Sequence, residues 1–250
     1  MLEVRNLTVQ FGGLIAVNDL SFDIKPGEVC AVIGPNGAGK SSLFNAITGY
    51  VPVASGEIRF NNIKIQDLPP HRVAALGIAR SFQHNGLVKD MTVLENVILG
   101  LELATKSSLA GVIFGLPGSA RAEIAAVKKA RAMLELIGLT GLQDRTAGDL
   151  PFGQQRSVEL GRVLVSGAKM LLLDEPAVGL TARERRNLTA MLRQVAGLGV
   201  GIILIEHVLD VVRSAADRVI VMNYGSKLVE CAPSELHSHQ SVVEAYLGHG

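Results

Sequence analysis

Gly34-Pro35-Asn36-Gly37-Ala38-Gly39-Lys40-Ser41-Ser42 has the residue types and the spacing of a phosphate-binding loop, G-x-x-x-x-G-K-[ST]. Glycines let the backbone curl until successive N–H groups point inward at an anion. A helix starting at the end of the loop adds the positive end of its dipole. In this chemistry Lys40 reaches the β- and γ-phosphates of a nucleoside triphosphate, and the Ser41 hydroxyl ligates Mg²⁺.

Three further stretches carry groups that such a site needs. Asp174-Glu175 follows the apolar run Lys169-Met170-Leu171-Leu172-Leu173. An acid at the carboxyl end of a buried strand beside the phosphate loop holds the Mg²⁺ shell, which is the expectation for Asp174. Glu175 then takes a proton from the attacking water or orients it. Glu206-His207 follows the apolar run Gly201-Ile202-Ile203-Leu204-Ile205, which puts His207 at a strand end with reach to the γ-phosphate and the water. Gln83, after Arg80-Ser81-Phe82, offers a neutral amide for Mg²⁺ or water, although by itself it reads equally as an exposed glutamine. A second anion site is expected at Leu150-Pro151-Phe152-Gly153-Gln154-Gln155-Arg156, where a glycine opens a helix. A single phosphate loop has no use for a second anion site in its own subunit, so this one suits a partner's nucleotide.

The elements that position these groups follow from apolar spacing. The loop is preceded by a strand, Val29 to Ile33, and its helix turns Leu43, Phe44 and Ile47 inward. Strands are predicted at 2–10, Ser21 to Ile24 and Gly56 to Phe60, the last ending in a tight turn at Asn61-Asn62. A short helix runs from His71 to Leu76, and a strand from Gly77 to Gln83. From Thr92 to about Gly167 the texture is helical. Ile124, Val127, Ala130, Leu134 and Ile137 form a stripe that Gly138 closes, and a further helix spans Gln154 to Ser166. Thr181 and Glu184 make a capping-box pattern at the start of a helix reaching Leu198. Arg218 to Met222 and Lys227 to Glu230 form a hairpin about Asn223-Tyr224-Gly225, and two short helices finish the chain. The prediction is an α/β fold with a mainly parallel sheet. Its core takes residues 1–86 and 168–250, with a helical subdomain inserted at about 87–167.

Composition narrows the partners. The 250 residues suit one large domain or two small lobes, and 48% hydrophobic content supplies a core. A net charge of +1 without a long basic run argues against nucleic acid. Cys30 and Cys231 lack metal-ligand spacing and fit a reduced interior. Met1 to Arg5 does not read as a signal peptide. No apolar run approaches the ~20 residues that span a bilayer, and Leu109 to Leu116 is too short. A mean hydropathy of +0.33 points to a surface covered by a partner. Leu109 to Leu116 packs either on such a partner or within the helical lobe.

In their order along essentially the whole chain, these motifs resemble the ATP-binding subunits of ABC transporters. Gly34 to Ser42 matches Walker A, and Leu171 to Glu175 matches Walker B with its catalytic glutamate. Gln83 matches the Q-loop, His207 the switch histidine, Leu150 to Gln154 the signature motif and Ala177 to Thr181 the D-loop. The resemblance implies a P-loop NTPase (RecA-like) core with an antiparallel β subdomain at the N-terminus. It makes Phe11 the aromatic that stacks on adenine, with Val17 beside it in the nucleotide site. Gly153 and Gln154 would touch the γ-phosphate held by a second, head-to-tail ATPase subunit. ATP and Mg²⁺, membrane-spanning permease partners and a peripheral place on the cytoplasmic face of the cell membrane are implied in the same way. The branch most resembled is that of branched-chain amino-acid importers. It is carried by Phe11 to Val17, Arg80-Ser81-Phe82-Gln83-His84, Gly153 to Arg156 and the ending Ala245-Tyr246-Leu247-Gly248. The stretch Leu101 to Arg121 resembles the longer of that branch's two ATPase types. The family pattern is broken at two places: Pro151-Phe152 stands where Ser-Gly is usual, and Thr181 replaces the D-loop acid. The competing readings are a non-transport ABC ATPase and an ATP-binding switch with weak turnover.

Overall fold

The computed structural model describes residues 1–81, 86–105 and 119–239. Gln83, the segment Leu109 to Leu116 and the ending Ala245 to Gly248 lie outside them. Contacts divide the chain into two compact units. One comprises Met1–Arg80, Lys169–Val178 and the residues from Arg185 onward; the other comprises Ser81–Ala168 and Gly179–Glu184.

The first unit holds two sheets. Strands β1 (Leu2–Phe11) and β2 (Leu14–Ile24) precede β3 (Val29–Ile33), and β4 (Ser55–Phe60) and β5 (Ile63–Lys64) follow it. The antiparallel sheet has the order β2-β1-β4-β5. β2 starts seven residues before the predicted Ser21, at Leu14. The β1–β2 pairing shifts register between Val4 and Leu7 and again near Val9. Asn6 and Asp19 adopt left-handed φ values of 46° and 49°, and the Asn6 side chain donates to Asp19 Oδ1 at 2.8 Å. These bulges break the strict alternation by which a strand is read from sequence. Asn61 and Asn62 form the expected turn, with φ of 49° and 66°.

The second sheet adds β6 (Ile78–Arg80), β7 (Met170–Asp174), β8 (Gly201–Ile205), β9 (Arg218–Asn223) and β10 (Ser226–Cys231), in the order β10-β9-β3-β8-β7-β6. Every neighbouring pair is parallel except the β9–β10 hairpin. All residues of β3, β7 and β8 are buried. Strands covered on both faces have no solvent side to mark with polar residues, hence their unbroken apolar sequences. Each such Leu or Ile contributes roughly 1.5–3 kcal/mol by leaving water. Helix α1 (Lys40–Ile47) buries Leu43, Phe44, Ala46 and Ile47 in a cluster shared by both sheets. α2 (Pro70–Ala75) starts on a proline, whose missing N–H costs nothing in a first turn.

The second unit is built on α3 (Val93–Thr105), α4 (Ser119–Leu136) and α5 (Phe152–Leu164). Val97, Leu101, Ala130, Leu134 and Val158 are buried. Ile124, predicted as part of the stripe, is 70% exposed. Periodicity marks a helix face but not how far along it a packing partner extends. Buried Asn96 satisfies the chain entering α3: it accepts from Val88 N–H at 2.9 Å and donates to Val88 O at 2.9 Å and Thr92 O at 3.0 Å. A Cβ on Gly100 would lie 2.0 Å from the Arg162 carbonyl oxygen, so α3 and α5 approach closely there.

Two later helices belong to the first unit: α6 (Ala182–Gly197), whose first residues group with the second unit, and α7 (Leu209–Ala215). α7 is too short and irregular to announce itself by period. The first of the two expected terminal helices is a 3₁₀ turn at Pro233–Ser238, and the second falls outside the described residues.

Candidate functional site

Gly34 and Gly39 hold the phosphate loop in shape. Gly34 has φ +150° and Gly39 φ +100°, and a Cβ would lie 2.1 Å from Met222 O at the first and 2.2 Å from Ala16 O at the second. Backbone, which cannot step aside, closes both positions. Gly225 N–H donates to Ala38 O at 3.1 Å and Asn18 N–H to Gly225 O at 2.8 Å, so the β9–β10 turn and β2 brace the loop from outside. Lys40 Nζ folds back onto Gly34 O at 2.7 Å and Pro35 O at 2.9 Å. Pro35, Asn36, Gly37 and Ser41 face solvent wholly or in part, whereas Ala38 is buried and acts as packing. Ser42 is half-buried on α1.

Strand register aligns the remaining groups. Val32 pairs with Ile205, and Ile205 with Asp174. The chain therefore leaves β3, β8 and β7 on one line, carrying the loop, Glu206-His207 and Asp174-Glu175. β8 stands between the loop strand and the Asp174 strand. Asp174 is buried, and burial pushes its carboxyl above the usual range, against the opposing pull of the Arg80 guanidinium. Burial also lowers the Lys40 ammonium, and the charges of Glu175 and Asp174 act against that. These mutual effects place lysine and both acids within one electrostatic neighbourhood. Glu175 has φ +49°, a backbone state that costs a non-glycine residue on the order of 1–3 kcal/mol. Its N–H donates to Ile205 O at 2.9 Å. The exposed His207 Nδ1 lies 3.7 Å from Glu175 Oε1.

Two residues here escaped the sequence reading. Arg80 donates to Asn45 Oδ1 at 2.6 Å and to Asp174 Oδ2 at 3.2 Å, and lies over the Phe44 ring at 5.5 Å. It thereby fastens α1 to β7. Glu206, 1% exposed, accepts from Ala177 N–H at 2.9 Å, His207 N–H at 2.9 Å and Val208 N–H at 3.0 Å. A glutamate ending an apolar strand was the available signal for the second; nothing in spacing marks the first.

The two nucleotide-base candidates part company. Phe11 is half exposed at the end of β1. Val17 has no exposed surface and pairs with Val9 in the core. Its placement in the nucleotide site is corrected to a packing position, because an inward β2 side chain cannot also face a ligand.

In the second unit, α5 opens at Pro151 (φ −54°, ψ 148°) without a side-chain cap. Pro151 O accepts from Gln154 N–H at 2.9 Å and Gln155 N–H at 3.0 Å. Gln155 Nε2 donates to Leu150 O at 2.8 Å. Phe152 is exposed beneath the Arg156 guanidinium, 5.3 Å from the ring centre. At Gly153 a Cβ would lie 2.3 Å from Glu184 Oε1. The other Glu184 oxygen closes the predicted capping box, accepting from Thr181 N–H at 2.8 Å and Thr181 Oγ1 at 2.7 Å. Those bonds, with a further one from the Gly153 backbone, hold the Glu184 carboxyl below its ordinary range. A carboxylate of the chain itself thus sits at this helix N-terminus.

The family model described as ABC transporter matches residues 17–178. The chain belongs to the ABC transporter family. It is 37% identical over 249 residues to the high-affinity branched-chain amino acid transport ATP-binding protein BraF of Pseudomonas aeruginosa, covering 99% of this chain and 98% of that one. It is 36% identical to LivG of Escherichia coli, a protein of the same description, with the same coverage. Among solved structures, an ABC transporter ATP-binding cassette in its ADP conformation aligns with a TM-score of 0.86 at 34% identity, over 100% of this chain and 99% of that one. A dimeric bacterial ABC transporter cassette aligns at 0.75 and 25% identity, over 93% of this chain and 99% of that one. The fold expectation, a P-loop core with an antiparallel β part and a helical part, holds.

Proposed function

We propose that this chain is the ATP-hydrolysing subunit of an ABC importer for branched-chain amino acids. The observation that carries the reading is an end-to-end match to BraF and LivG proteins combined with a strand register that sets the phosphate loop, Asp174-Glu175 and Glu206-His207 at three aligned strand ends. Lys40 releases Gly34 O and Pro35 O to take the β- and γ-phosphates, and the loop's N–H groups surround them. Ser41 and Asp174 offer the hard oxygens that suit Mg²⁺, and Gln83 is the further ligand given by motif. Bound there, Mg²⁺ neutralises charge developing on the phosphate oxygens. Glu175 orients the attacking water and accepts its proton, and His207 contacts the γ-phosphate. Phe11 stacks on the adenine.

A second ATPase subunit faces the first head to tail, so that Gly153 and Gln154 of one, once the Glu184 carboxylate swings off Gly153, meet the nucleotide of the other. The γ-phosphate is present before hydrolysis and absent after it. It therefore supplies the differential contact that a closed-to-open population shift requires. Permease subunits anchor the pair at the cytoplasmic face of the membrane; none of the described helices is long and apolar enough to cross it.

The test is ATP hydrolysis by wild type and Glu175→Gln in vesicles that carry the permease subunits. We expect ATP-dependent leucine uptake and a loss of about 10²–10⁴-fold in turnover for the variant, with ATP still bound. Equal rates in the two proteins, or uptake indifferent to this chain, overturn the reading.

A further inference from the structure

Glu206 is a buried charge with three backbone N–H partners, and the partners belong to two different loops. Oε1 accepts from Ala177, two residues after Glu175. Oε2 accepts from His207 and Val208. Ionised carboxylates are rarely taken out of water unless their lone pairs are filled, and here three donors fill them. The main chain adds a further link, Glu175 N–H to Ile205 O at 2.9 Å. Around this knot Glu175 keeps its unfavourable φ of +49°. Such a conformation persists only where the surroundings over-determine it.

We propose that Glu206 is a positioning residue for hydrolysis: its carboxylate fixes the Glu175 loop against the His207 loop, so that base and histidine reach the water and γ-phosphate together. It touches neither substrate nor metal in this role. The inference rests on the ATPase reading above. Its chemistry is specific, since both oxygens must accept. Glutamine keeps the size of the side chain but turns one acceptor into a donor, which faces an N–H in either orientation. Aspartate keeps both acceptors and is one methylene shorter, so it holds one loop at a time.

The experiment compares wild type, Glu206→Gln and Glu206→Asp for ATP turnover, KM and binding of a fluorescent ATP analogue. Misplacing reacting groups by about 1 Å costs about 100-fold. Glu206→Gln is therefore expected to lose about that much in kcat, with KM and nucleotide affinity within about twofold of wild type and Glu206→Asp between the two. A folded Glu206→Gln protein with wild-type kcat overturns the proposal. So does a loss that appears equally in nucleotide binding, which is what general destabilisation produces. Amide hydrogen exchange on the unaltered protein supplies a test that needs no variant to fold. The Ala177, His207 and Val208 amides should exchange far more slowly than those of solvent-facing loops, and fast exchange at all three overturns the tie. A wild-type chain that binds ATP without hydrolysing it removes the ATPase reading instead, and the exchange result still reports on the tie separately.

Discussion

Two helices of this molecule begin at a glycine-bearing loop, and the two beginnings are built in opposite ways. At α1 the loop is braced from behind by Ala16, Met222 and Gly225, and its lysine folds back onto two carbonyl oxygens of the loop. At α5 the front of Gly153 is already covered by the Glu184 carboxylate. Both use the same physics, an anion at the positive end of a helix. The first leaves that position for a ligand, whereas the second meets it with a side chain of its own chain. The need for glycine differs accordingly. Gly34 and Gly39 are required by φ and by backbone on the far side, Gly153 by a side chain that a substitution could move.

That contrast can be broken by four substitutions, taken from the largest effect to the smallest. Lys40→Ala removes charge-assisted bonds worth about 1.5–3 kcal/mol; ATP affinity measured by calorimetry should fall on the order of 10–100-fold, and unchanged affinity removes the loop from the site. Gly39→Ala forces a Cβ into Ala16 O at a φ that L residues avoid, at a cost on the order of 1–3 kcal/mol in strain alone. Nucleotide binding should weaken with it, and no second substitution should restore it. Gly153→Ala meets a movable carboxylate instead. Thermal unfolding should drop by a few degrees, roughly 1 kcal/mol for a chain of this size, and adding Glu184→Ala should recover part of it. Failure of that rescue would make the two glycines alike. Thr181→Ala leaves Glu184 without half of its box; a loss of about 0.5–2 kcal/mol in denaturant unfolding is expected, with ATP binding to the α1 loop untouched.

Much of this was legible in the residues. The phosphate loop, the acid pair and His207 sit directly after apolar runs, and a run that is buried on both faces needs no tertiary information to be seen. The capping box of Thr181 and Glu184 was equally local. What escaped reading was whatever depends on a partner distant in sequence. Arg80 gains its meaning from Asn45 and Asp174, and Glu206 from Ala177. The alternation in β2 was hidden because Asp19 turns the backbone out of register to meet Asn6. Val17 looked like part of the adjoining nucleotide motif, yet its inward pleat sends it to the core.

Residue types and short spacings set which chemistry is present: a glycine loop ending in Lys40-Ser41, acids and a histidine at the ends of buried strands, and a second helix start with Gly153. These depend on residue type and on spacing within a few positions, where covalent geometry leaves little choice. Which of them share a line is an outcome of packing, since the β3-β8-β7 order and its register bring three strand ends level. Packing likewise leaves the α1 loop open to solvent while the α5 start is met by Glu184. Strand order and the approach of a side chain from another element are long-range packing outcomes, and no local pattern encodes them.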